Sequence, residues 1–138
     1  MKIALSILIF STFDYIGYNL IGTKDDFGYR VIQIAVQVIM IAILWYFFGF
    51  ITSLSFILLW WFGIADLLYY VIDGIIYLIF KKSYENGLFW KISYNNMNWL
   101  WFTPLGLLGV MMNKKLLVIQ SVIGILITVI INIVWQNI

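Results

Sequence analysis

Apolar residues run almost unbroken from Ile3 to Gly22, from Val31 to Phe80 and from Leu116 to Trp135, with polar stretches between. A helix that crosses a bilayer needs roughly 20 such residues. The first and last runs therefore predict one span each, at about 3–22 and 116–135. The middle run is long enough for a hairpin of two, and its Gly49 to Ser53 region is the natural break, giving spans at 31–48 and 54–80. The latter would measure about 40 Å as a straight helix, against a hydrocarbon layer of about 30 Å, so it must tilt, bend or begin among the headgroups. Gly63 is the candidate bend.

Between the third and fourth spans lies the only extended polar and aromatic region, 83–98, which is expected on the membrane surface. The apolar stretch after it, Trp99 to Met112, would form a helix of only about 21 Å and holds the sole proline, Pro104. Basic residues decide how to treat it, because they concentrate on the cytoplasmic side of short loops. If the stretch crosses, they divide five to three; if it dips in and returns, Lys24, Arg30, Lys81, Lys82, Lys91, Lys114 and Lys115 share one side against Lys2 alone. The second division is preferred. The expected fold is an all-α integral membrane protein, one domain over 1–138, with four transmembrane helices and a re-entrant or interfacial segment at 83–113. Five spans are the alternative.

Composition narrows the chemistry further. Of 138 residues, 64% are hydrophobic and 10% charged, too few charges to coat a water-soluble globule. The expected setting is multi-pass in a plasma (inner) membrane. Met1-Lys2 and the apolar run behind it resemble the start of a signal peptide, but no small-x-small cleavage pattern follows, so a retained first span is expected. Cysteine and histidine are absent, which removes thiolate chemistry, imidazole bases and the usual zinc and haem ligands. No cofactor or metal is expected. A net charge of +2 is too weak for nucleic-acid binding.

Candidate chemistry lies in the third span, where Asp66, Tyr70, Asp73 and Tyr77 follow at steps of four, three and four. At 100° per residue they occupy an arc of roughly 60°, one polar stripe on one face. A carboxylate in hydrocarbon costs at least about 2.5 to 3.5 kcal/mol, so such a stripe faces protein or water. Ser11, Asp14, Tyr18 and Gly22 repeat the pattern in the first span, within about 80°. The two faces are expected to meet. Gln33 and Gln37 in the second span, and Ser121, Gly124, Thr128 and Asn132 in the fourth, extend the polar interior.

No lysine or arginine falls inside these spans, so the acids are expected either to stay protonated as hydrogen-bond donors or to face water and attract cations. The leading expectation is a channel or transporter, or a subunit of one, for a proton, cation or small polar solute. Its path would use Asp66, Asp73 and Asp14, assisted by Tyr70 and Asn132. Four helices make a thin wall, so a homo-oligomer or larger complex is expected. The competing readings are a scaffold subunit whose polar seams only hold helices together, and a lipid-active enzyme with Asp14 paired to Asp66 or Asp73. Asp66 and Asp73 stand about 10.5 Å apart along their helix, too far to share a proton directly.

Overall fold

The computed structural model describes residues 2–22, 26–83, 85, 97, 100 and 102–137, with the side chains of Gly22 and Asp26 excepted. Among these residues the structure is helical, without a strand. Helix α1 spans Lys2–Gly17 and closes in a π-helical turn, Tyr18–Gly22. Then follow α2 (Asp26–Phe48), α3 (Phe50–Trp61), α4 (Ile64–Phe80), the short α5 (Pro104–Leu107) and α6 (Lys114–Gln136). Three segments, Lys2–Ile21, Phe27–Phe48 and Lys114–Gln136, are each long and apolar enough to cross a membrane, and α3 with α4 supplies a fourth as a broken pair.

The exposure pattern reverses that of a soluble protein. Buried positions of α1 are Ser6, Ile7, Phe10, Ser11, Asp14 and Tyr15, of which the last five form a helical stripe at i, i+3, i+4, i+7 and i+8. Leu5, Leu8, Ile9 and Ile16 face outwards. Helix α6 buries Leu117, Gln120, Ser121, Gly124 and Thr128 while exposing Ile119, Ile123, Leu126 and Ile130. Side chains that water would solvate thus lie inside among apolar ones, and large apolar side chains cover the outside. Lipid is the solvent that favours this arrangement, since its tails cost an apolar side chain nothing.

Chain direction alternates along the bundle. The Lys2 ammonium lies 4.6 Å from the Phe48 ring centre, so α1 begins where α2 ends. Gly49, at φ 83°, is the whole link between α2 and α3, in the place where the sequence puts the hairpin break. Helix α3 then runs beside α1, with Phe10 and Phe56 edge to face at 6.0 Å. Helix α6 returns along α3, since Asn132 Nδ2 donates to Ser55 Oγ at one end and Gln120 Nε2 to the Phe62 carbonyl at the other.

The third crossing is bent by 66° at Phe62 and Gly63. Gly63 has φ 79°, and a Cβ there would lie 2.6 Å from Leu117 Cδ1, so conformation and space both require glycine. Phe62 in turn rests on Gly124, where an added Cβ would come 2.4 Å from Phe62 Cβ. The bend resolves the excess length inferred from sequence. Helix α3 measures about 18 Å and α4 about 25 Å; with α3 upright, the inclined α4 adds about 10 Å of depth, giving about 28 Å, close to the hydrocarbon thickness.

The segment before α6 does not cross. Met97 N donates to the Met112 carbonyl at 2.9 Å, so its two ends are hydrogen-bonded to each other. Between them, α5 is a single turn of four residues. Leu105 N reaches Gln120 Oε1 at 3.0 Å, and Gln120 lies about 9 Å along α6 from Lys114, so the segment dips to membrane depth and returns. This supports four crossings rather than five. Phe102 stacks on Trp60 at 5.4 Å and its carbonyl accepts from Trp61 Nε1 at 2.8 Å. Trp60 and Trp61 thereby anchor the segment that holds Phe102. Most of the polar region 83–98 lies outside the described residues.

Candidate functional site

The acidic face of α4 meets α1, and α1 with its π-helical turn packs on α2, in the half of the bundle that contains the bend. Asp14 is buried, and its Oδ1 accepts from Gln33 Nε2 at 2.6 Å and from the Tyr29 hydroxyl. Gln33 Oε1 in turn accepts from Arg30 at 3.1 Å, and the Arg30 charge acts directly on Asp14. The Tyr29 ring, 1% exposed, fits because Gly17 has no Cβ; one added there would sit 3.0 Å from the ring.

Arg30 corrects the expectation that no base accompanies the intramembrane acids. The sequence ends the apolar run at Val31, whereas α2 begins at Asp26. The extra turn carries Arg30 onto the helix and into the apolar segment Phe27–Phe48, with Gln33 one turn beyond it. Backbone hydrogen bonding in a low-dielectric layer extends helices past the point where side chains turn polar.

Asp66 lies in the first turn of α4, partly buried, and the charges of Asp14 and Arg30 both act on it. Among the described residues its carboxylate has no side-chain hydrogen bond. Asp73, 1% exposed, accepts from the Tyr15 hydroxyl at 3.2 Å and from Glu85 N at 3.0 Å. The stripes of α1 and α4 therefore face each other, with Tyr15 as the direct link.

A run of tyrosine rings lies between the two buried aspartates. Tyr29 contacts Tyr18 at 5.4 Å, Tyr18 contacts Tyr69 at 6.5 Å, and Tyr69 contacts Tyr15 at 5.1 Å and Tyr70 at 5.3 Å. Tyr70 is buried there, in one cluster with Met97, Leu100 and Met112 of the re-entrant loop. The loop closes over this end of the seam. Asn132 lies elsewhere: it bonds Ser55 on α3, about 12 Å along α6 beyond Gly124, and joins a separate cluster of small polar side chains.

Sequence spacing picks out the three aspartates but not Tyr15, Tyr29 or Arg30. Tyr15 is adjacent to the α1 stripe, and Tyr29 and Arg30 sit in what reads as a loop. Among the described residues, no three acidic side chains converge closely enough to hold a metal ion. Comparison of the chain with protein families, curated proteins and solved structures finds no match.

Proposed function

We propose that this protein takes up and releases a single positive charge, a proton or a monovalent cation, at the Asp14, Asp66 and Arg30 cluster, as a small channel or transporter or a subunit of one. One observation carries the proposal: inside an apolar bundle the buried Asp14 carboxylate accepts from Gln33, Gln33 in turn accepts from Arg30, and Asp66 lies near enough for their charges to act on it. Fully ionised, the three sum to minus one. A net charge among hydrocarbon is costly, and one proton or one monovalent cation removes it. Asp14 has accepted Tyr29 and Gln33, so Asp66 is the group left to exchange. Asp73 and Tyr70 extend the acidic face towards the re-entrant loop. Four crossings enclose little space, which supports assembly as a homo-oligomer or within a larger complex, in a plasma or inner membrane.

Proton and monovalent-cation flux in proteoliposomes tests the reading, with wild type and Asp66→Asn reconstituted at equal density. Flux that falls at least tenfold in the variant supports it. Equal flux in the two proteins, or none in either, sinks it. A scaffold role is the second reading, favoured by the Tyr15 to Asp73 and Tyr29 to Asp14 bonds, which join α1 to α4 and to α2. On that reading Asp66→Asn leaves assembly and activity of the complex intact.

A further inference from the structure

The charged ends of the bundle differ. At the end where α1 begins and α2 stops, Lys2 is the only basic residue among those described, and it is engaged by the Phe48 ring. At the opposite end stand Lys81-Lys82, directly after α4, and Lys114-Lys115, at the start of α6. Among the described residues Lys81, Lys82 and Lys115 are exposed and make no ion pair.

Two routes through the fold place these pairs at one depth. Gln120 and Ser121 both reach the Phe62 carbonyl, and Lys114 lies six residues, about 9 Å, further along α6. From the same bend α4 runs about 25 Å at 66° to α3, which advances about 10 Å along the bundle. Each pair also borders exposed apolar side chains: Leu78, Ile79 and Phe80 before Lys81, and Val118 and Ile119 after Lys115. The ammonium groups of Lys81, Lys82 and Lys115 are therefore exposed where the outward-facing apolar side chains end.

We propose that Lys81-Lys82 and Lys114-Lys115 form a binding surface for the phosphates of anionic phospholipids in the leaflet at this end of the bundle. The lysines supply the countercharge, and the apolar residues beside them hold the acyl chains, so a headgroup and its tail are both accommodated. A zwitterionic headgroup carries its own ammonium and gains less from the same cations.

Quenching of tryptophan fluorescence by brominated phosphatidylglycerol, titrated against brominated phosphatidylcholine, measures the preference on the whole protein in bilayers. An anionic lipid surface gains roughly a fivefold factor per nearby lysine, so wild type is expected to favour phosphatidylglycerol at least about fivefold. Lys81→Gln with Lys82→Gln, and Lys114→Gln with Lys115→Gln, each lower the ratio; all four together bring it near one. Lys2→Gln leaves it unchanged. The four Lys→Arg substitutions preserve the preference and show that the positions tolerate change. A wild-type ratio near one, or an undiminished ratio in the fourfold glutamine variant, overturns the proposal. So does loss of the preference on adding inorganic phosphate, which would make the surface a site for soluble anions.

Discussion

Gln120 Nε2 donates to the Phe62 carbonyl at 3.3 Å, and Gln120 Oε1 accepts from Leu105 N at 3.0 Å. The break at Gly63 removes the Phe62 carbonyl from the helical ladder, and one side chain of α6, 1% exposed, both satisfies it and fastens the re-entrant loop. Gln120→Leu keeps the volume, leaves Leu105 N unpaired at membrane depth and leaves the Phe62 carbonyl with the Ser121 hydroxyl alone. The expected loss is about 1–3 kcal/mol of stability, read by unfolding in detergent. An unchanged midpoint would mean that the joint is held by packing alone.

Gly124→Ala should also destabilise, because its Cβ would lie 2.4 Å from Phe62 Cβ. Overpacking of this kind costs about 1–3 kcal/mol. Phe62→Gly in the same chain, which removes that Cβ, should recover part of the loss, and a double-mutant cycle measures the coupling. Additive effects would contradict the contact.

Asp66→Asn and Asp73→Asn should separate activity from stability. Asp66 has no side-chain hydrogen bond among the described residues, so its amide variant should fold within about 0.5 kcal/mol of wild type while losing flux. Asp73 accepts from Tyr15 and Glu85 N. Coupling between Tyr15→Phe and Asp73→Leu, which removes the acceptor that asparagine would keep, is expected at about 0.6–1.7 kcal/mol, the range for hydrogen bonds between membrane helices. Coupling of zero would remove Tyr15 as the link between α1 and α4.

A loop closed by the bond from Met97 to Met112 leaves Lys82 and Lys115 on the same side of the membrane. Cysteines at these two positions should both resist an impermeant reagent added outside cells, while one at Asn137, at the far end of α6, should react. Labelling at Lys115 but not Lys82 would require a fifth crossing.

Much of this architecture is legible in the sequence because lipid imposes a length on apolar runs. The hairpin break at Gly49 and the bend at Gly63 both follow from runs too long for the bilayer. The inward face of α4 follows from the spacing of Asp66 and Asp73. Arg30 is not legible: its charge marks the end of an apolar run, but the backbone continues in helix across it. The pairing of Asp14 with Tyr29 is equally hidden, since it depends on how closely the π-helical turn brings α1 against α2. Trp60 and Trp61 find their roles only through Phe102, forty-odd residues away.

The oblique course of α4 has a consequence for the membrane itself. Inclined at 66° to α3, a helix of about 25 Å sweeps about 23 Å sideways, so the chain leaves α4 at Lys81 well to the side of the bend and borders lipids that α3 does not reach.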